Sequence, residues 1–292
     1  MRDTRLAGVG KTALGVAVVR AEESKRPDRL FEDPFAARFV AAMPEAFTAS
    51  RVQMTSLTRN FVQSAIIRTR FFDDYLRESA GGPGACPQVG APRRPRRPRR
   101  PRRHCRQVVL LAAGLDARAF RLDWPPGTRL FELDLPEVLA FKNDVLAQST
   151  ARCERVTVPA DLRGDWAAKL AESGFDRREP TAWLAEGLFI YLSALETARL
   201  LTTVGELSAP GSQISFEHVT AAETATVAEA RKTPGMTRHA AMWKGGLGPR
   251  TPEWLTRQGW HVELHDRTRV AESYGRPGKA SGGLLIARRA GT

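Results

Sequence analysis

One stretch constrains the fold more than any other: Gln107 to Asp134, reading QVVLLAAGLDARAFRLDWPPGTRLFELD. Val108 to Leu111 form a short continuous apolar run, the composition of a strand covered on both faces. Ala112, Ala113 and Gly114 follow, three residues with almost no side chain, and a second apolar segment from Arg129 to Leu133 ends beside Asp134. This order predicts strand, tight turn, helix, strand, acid. Such a unit can hold a nucleotide-like ligand. The small-residue turn lets the backbone approach closely, and an acid at the tip of the next strand accepts hydrogen bonds from ribose hydroxyls. Gly114 and Asp134 stand 20 residues apart, the separation that geometry requires. The glycine pattern is incomplete, because Ala112 stands where a further glycine would be, so an ordinary βαβ turn fits these residues as well.

The rest of the chain extends an α/β pattern. Arg155 to Pro159, Thr181 to Gly187, Gln213 to Val219, Trp260 to Leu264 and Leu284 to Ala287 read as further strands, and the last two predict an antiparallel hairpin at the sheet edge. Asp33-Pro34 starts a helix marked by Phe35, Phe39 and Met43. A longer helix, about Thr58 to Ser79, is expected to face Phe61, Ala65, Phe72 and Leu76 inward, and it carries Arg68 and Arg70. Either guanidinium fits a ligand carboxylate, and either equally fits a solvated helix face. Leu135-Pro136 opens a helix in which Val138, Leu139, Lys142, Val145 and Leu146 share a face if the lysine stem snorkels. Ser193 and Glu196 form a capping box. Asp161 follows the third strand directly, on the rim where α/β sheets bind ligands, although an aspartate there also serves as a turn or cap. Glu186 ends the apolar run TAWLAEG, and a carboxylate in such surroundings needs a partner. Glu217 and His218 close the fifth strand.

Composition removes several classes. Residues 8–12, GVGKT, lack the first glycine of a P-loop, since Arg5 stands there, and no strand precedes them. Three cysteines without paired or metal spacing argue against a disulfide framework and for a reducing compartment. No apolar run approaches the roughly 20 residues of a bilayer span. The N-terminal residues show no signal-peptide core, and the expectation is a cytoplasmic protein. The net charge of +13 suggests nucleic acid, yet eight arginines between Arg93 and Arg103 supply much of it, and setting those aside leaves +5. This R-R-P repeat is low-complexity sequence expected to be extended, without the aromatic residues that stack on bases. Nucleic acid is therefore not the expected partner.

The whole set of motifs resembles the leucine carboxyl methyltransferase-like family of S-adenosyl-L-methionine-dependent methyltransferases, in particular its actinobacterial branch. The similarity rests on TALGVAVVRAEES, LFEDPFAARF, RTRFFDDYL, QVVLLAAGLDARAFRL, FELDLPEVLAFK, Asp161-Leu162, PTAWLAEGLFIYL, LSAPGSQISFEHV and ESYGRP, with the AGLDxRxxRL and FELDxPEV blocks the most diagnostic. It implies an α/β, Rossmann-like class I methyltransferase fold, with a seven-stranded, mostly parallel sheet, an antiparallel C-terminal hairpin and an N-terminal helical lid. The expected organisation is a lid over residues 1–80, an Arg-Pro linker over 81–106 and a cofactor-binding core over 107–292.

The resemblance also implies roles. Asp134 binds the cofactor ribose, Asp161 and Leu162 hold the adenine, Gly114 admits the methionine part, Arg70 pairs with its carboxylate, Glu186 contacts its ammonium, and Tyr191 lies toward the substrate. The Arg-Pro insert departs from the family, which usually has a short link there. The expected reaction is O-methylation of a hydroxyl or carboxylate on a small molecule, with S-adenosyl-L-methionine as cofactor, S-adenosyl-L-homocysteine as product, and no metal. A carboxylate acceptor needs no base, whereas a hydroxyl acceptor does, and Glu217, His218 and Tyr191 are the candidates. The competing reading is a degenerate methyltransferase fold that binds nucleic acid or acidic partners through the Arg-Pro arm. Oligomeric state and acceptor identity are left open.

Overall fold

A computed structural model describes residues 9–43, 56–81, 104–220, 243–278 and 282–290. The Arg-Pro run and most of the 220–250 region lie outside the described residues. The sheet is built from β1 (Gln107–Leu111), β2 (Arg129–Asp134), β3 (Glu154–Pro159), β4 (Thr181–Ala185), β5 (Gln213–His218), β6 (Trp260–Asp266) and β7 (Gly283–Arg289). Its order is β3-β2-β1-β4-β5-β7-β6. The first five strands are parallel, and β7 runs antiparallel to both β5 and β6. The apolar strand positions of the sequence and the antiparallel edge pair are thus found where the periodicity places them. A seven-residue helix, Arg267–Ser273, joins the last two strands. The strand order reverses between β1 and β4, which is where an open α/β sheet leaves a crevice at its carboxyl edge.

The central strands are buried on both faces, so each is apolar throughout rather than alternating. Val108, Leu110, Leu130, Ala182 and Leu184 face one layer; Val109, Leu111, Phe131, Leu133 and Trp183 face the other. The first layer contains α1 (Val9–Ser24), α2 (Ala36–Ala41) and α3 (Ser56–Ala80), which contribute Leu14, Ala17, Phe39, Phe72 and Leu76 to the core. It also contains α4 (Arg118–Arg121) and α5 (Pro136–Leu146). The second holds α6 (Trp166–Glu172) and α7 (Ala194–Glu206), with Trp166, Leu170, Leu200 and Leu201 inward. Tyr75 ties α3 to the sheet by donating its hydroxyl to the Trp183 carbonyl at 3.1 Å. The capping box of α7 is present: Ser193 N–H donates to Glu196 and Glu196 N–H donates to Ser193.

Two burial expectations are corrected. Phe61 is 45% exposed, because the inward face of α3 is formed further along the helix by Ala65, Ile67, Phe72 and Leu76. Lys142 does not snorkel. Its side chain is fully buried and its Nζ lies 2.9 Å from Glu132 Oε2, the carboxylate also held by Arg155 at 2.7 Å. Glu132 is a fully buried acid inside an apolar strand. Removing it from water without a cation would cost several kcal/mol, so the lysine turns inward.

Candidate cofactor and active site

The rim is built at the carboxyl ends of β1, β2, β4 and β5. After β1 the chain turns through two left-handed residues, Ala112 at φ 55° and Gly114 at φ 49°. A left-handed conformation costs an L-residue roughly 1–2 kcal/mol, which glycine avoids. Ala112 therefore carries strain where the sequence pattern calls for glycine. The turn is stapled to the next strand: Gly114 N–H donates to Asp134 Oδ2 at 2.6 Å, and Leu135 N–H donates to Asp134 Oδ1 at 2.7 Å. A Cβ on Gly114 would meet the Cβ of Ala13 at 3.5 Å, so α1 closes over this turn. Burial pushes the Asp134 carboxyl above its ordinary range, against these two N–H bonds. Each oxygen keeps a free lone pair, enough to accept two hydroxyl hydrogens.

Beside this turn lies an ion network. Arg118 is fully buried and donates to Asp73 at 2.7 Å, to Glu186 Oε2 at 2.8 Å and to the Thr69 carbonyl at 3.2 Å, and it also pairs with Asp116. Arg121 bonds both oxygens of Asp73 at 2.6 Å. Arg68 reaches across from α3 to Glu186 Oε1 at 3.1 Å and Glu217 Oε1 at 2.8 Å. Glu217 Oε2 accepts from Gly187 N–H at 2.8 Å. Arg20 and Asp33 join the network through Arg121, with Arg20 Nε 3.5 Å and Arg121 Nε 3.9 Å from Asp33. Burial alone would raise the Asp73 carboxyl, but the Arg121 and Arg118 guanidiniums overcome it and hold it at about 2. Asp33, Asp73, Asp116, Glu186 and Glu217 face Arg20, Arg68, Arg118 and Arg121, so the network carries one more carboxylate than guanidinium. That balance suits a ligand presenting a cation.

The structure thus brings Gly114 and Asp134 together and joins Glu186 to the neighbouring tips. Asp161 stands further along the rim, after β3. Its carboxylate is taken by Arg163, through the backbone N–H at 2.9 Å and the guanidinium at 2.6 Å, and this hydrogen bonding lowers its pKa. Leu162 is half-buried against the second core layer. Tyr191 lies in a short 3-10 turn, Phe189–Tyr191, and is half-buried. Arg70 is not brought to this group. Its guanidinium bonds Asp74 at 3.0 Å and the Leu30 carbonyl at 2.8 Å, and it lies over the Tyr274 ring at 5.5 Å. Sequence reasoning named Arg68 only as an alternative and gave no role to Asp73, Asp116 or Arg118. Their signal was present: charged residues such as Asp73 on α3 and Arg118 on α4, inside largely apolar segments, must pair with something.

The sequence model described as leucine carboxyl methyltransferase matches residues 13–89 and 98–205 of this chain. The chain belongs to the leucine carboxyl methyltransferase family. The two matched segments are separated by residues 90–97, inside the Arg-Pro region. An S-adenosyl-L-methionine-dependent methyltransferase of Frankia alni, so named by inference, is 48% identical over 289 residues, covering 97% of this chain and 95% of that one. A protein of Streptomyces coelicolor with the same inferred activity is 40% identical over 282 residues, covering 93% and 89%. Among solved structures, a methyltransferase (by inference) of Thermobifida fusca superposes with a TM-score of 0.52 at 17% identity over 94% of each chain, a likeness of fold.

As a member of this leucine carboxyl methyltransferase family, the chain is an S-adenosyl-L-methionine-dependent methyltransferase. The donor set suits that cofactor: a backbone turn without side-chain bulk at Gly114, a carboxylate with hydroxyl-accepting capacity at Asp134, and a net-acidic cluster around Glu186. Among the described residues no group of three His, Cys, Asp or Glu is arranged to hold a metal ion. No helix among them is long and apolar enough to cross a membrane.

Proposed function

We propose that the chain transfers a methyl group to an oxygen nucleophile, a hydroxyl or carboxylate, of a small molecule. The observation that carries this reading is the joining of Gly114 to Asp134 beside the Glu186 network at the switch point of the sheet. S-adenosyl-L-methionine supplies an electrophilic methyl on a sulfonium sulfur and so brings its own activation. The chain's residues must then bind, align and exclude water. Asp134 accepts the ribose hydroxyls, Asp161 and Leu162 hold the adenine once Arg163 yields, and Gly114 lets the backbone approach the methionine part. Glu186 accepts from its ammonium. Helices α1 to α3 act as the lid over the rim, and Tyr191 faces the acceptor. The other reading, a degenerate copy acting through the Arg-Pro arm, is not favoured in a chain that keeps Asp134, Asp161 and Glu186.

Of Arg68 and Arg70, both on α3, Arg68 is the one at the rim, and it supplies the guanidinium for the methionine carboxylate. Arg68→Ala is expected to weaken S-adenosyl-L-homocysteine binding at least tenfold by titration calorimetry, since a hydrogen-bonded charge contributes about 1.5–3 kcal/mol. Arg70→Ala is expected to change it less than threefold. The opposite ranking would return the role to Arg70. Methyl transfer itself is tested with labelled S-adenosyl-L-methionine and a panel of hydroxyl and carboxylate metabolites. Label recovered only in protein or nucleic acid would contradict a small-molecule acceptor.

A further inference from the structure

At the end of β5, one residue past Glu217, stands a second titratable group. His218 is 7% exposed, and its Nδ1 has no hydrogen-bond partner. An unmade hydrogen bond on a buried polar atom is costly, so an orphaned ring nitrogen at a rim needs an explanation. Side chains alternate along the strand. Glu217 points to the α3 face, where Arg68 and Gly187 N–H consume both of its oxygens. His218 therefore lies on the opposite face, two residues beyond Phe216, whose ring meets Phe189 of the 3-10 turn at 4.6 Å. Tyr191 belongs to that same turn. On the other flank, His218 pairs with Gly283 of β7, and a Cβ on that glycine would come within 3.3 Å of the imidazole.

Each other acid of the rim already holds hydrogen bonds on both carboxylate oxygens: Asp134 from two backbone N–H groups, Glu186 from Arg68 and Arg118, Glu217 as above. A carboxylate so engaged is a poor general base. We infer that His218 Nδ1 is the proton acceptor for the methyl acceptor, which makes that acceptor a hydroxyl rather than a carboxylate. This inference rests on the methyltransferase reading above and narrows it. The step balances with nothing else required: the hydroxyl proton passes to Nδ1, an oxygen lone pair forms the bond to the methyl carbon, and the carbon–sulfur pair leaves with sulfur. Buffer then takes the proton from the imidazolium.

Burial lowers the His218 pKa, which keeps the ring neutral at neutral pH. Around it, the charge of Glu217 is met by Arg68, and Arg267 donates to the Gly283 carbonyl at 3.3 Å. Glu186 is held by Arg68 and Arg118. The shift itself has burial as its cause. The neutral base should be lost as pH falls, so the rate limb lies on the acid side, below the ordinary histidine value.

The test takes wild-type protein, His218→Ala and His218→Asn through three readouts. These are calorimetric binding of S-adenosyl-L-homocysteine, label transfer to a panel of phenolic, alcoholic and carboxylate probes, and the pH profile of the best probe. The wild type should turn over a hydroxyl probe with an acid limb. Both variants should bind S-adenosyl-L-homocysteine within about threefold of wild type, showing an intact fold and cofactor site, yet lose at least about 100-fold in kcat, the lower end of general-base contributions. Asparagine keeps polarity without taking a proton, so its failure to rescue separates proton transfer from packing. The inference is overturned if either variant keeps kcat within about threefold. It is equally overturned if only carboxylate probes, or no hydroxyl probes, are turned over by protein that binds S-adenosyl-L-homocysteine. Absence of S-adenosyl-L-homocysteine binding by the wild type would instead remove the cofactor site itself.

Discussion

Asp134→Ala is expected to weaken S-adenosyl-L-homocysteine binding by about 10- to 100-fold, measured by titration calorimetry near neutral pH. Two effects add. Hydrogen bonds to a charged group contribute about 1.5–3 kcal/mol, and each 1.4 kcal/mol is tenfold in affinity. The substitution also removes the acceptor for Gly114 and Leu135 N–H, so the β1 turn loses the staple that fixes its shape. Asp134→Asn should recover part of the loss, because an amide oxygen still accepts. The pH dependence has a definite sign. Burial raises the Asp134 carboxyl, so it takes up a proton at a higher pH than an ordinary aspartate. Protonation removes an acceptor, and affinity should fall with decreasing pH, beginning at a higher pH than for an ordinary aspartate. Asp134→Ala should flatten that limb. An unchanged affinity in the alanine variant would mean that the ribose is held elsewhere.

The second large effect concerns the framework. Arg118→Met should destabilise the protein by about 3–5 kcal/mol in urea unfolding, the usual consequence of removing one partner from a buried ion pair. Arg118 is shared by Asp73, Asp116 and Glu186, so its loss strands charge from α3, from the β1 turn and from the β4 tip at once. A loss below about 1 kcal/mol would show that these carboxylates find water or protons instead. The same network gives a pH signature. The folded-state Asp73 carboxyl lies at about 2, below its ordinary value of 3.8. Its stabilising contribution is therefore present above pH 3.8 and is lost as pH falls from there toward 2. Asp73→Asn should reduce the stability difference across that window.

Much of this architecture was legible in the chain. Val108–Leu111 and Ala182–Ala185 are continuous apolar runs of strand length, the composition of a strand covered on both faces. Asp134 was legible through its spacing from Gly114. What periodicity cannot supply is the direction of long side chains. Arg68 and Arg70 lie two residues apart on one helix, about 200° around its axis. Either can face the sheet until the partners on β4 and β5 are known, and the acids at Glu186 and Glu217 decide for Arg68. Lys142 misled in the same way. A helix face with one lysine reads as half-exposed, but the buried acid at Glu132 across the layer turns the ammonium inward. Ala112 shows the reverse: the pattern expected glycine, the backbone keeps the left-handed turn, and the alanine carries the strain.

The most direct measurement is a crystal structure of the chain with S-adenosyl-L-homocysteine. The account predicts the ribose hydroxyls on Asp134, the adenine beside Asp161 and Leu162 with Arg163 displaced, and the amino group of the homocysteine against Glu186. It would be contradicted if the ligand lay off the carboxyl ends of β1, β2 and β4, or if Glu186 and Asp161 kept their present arginine partners and made no contact with it.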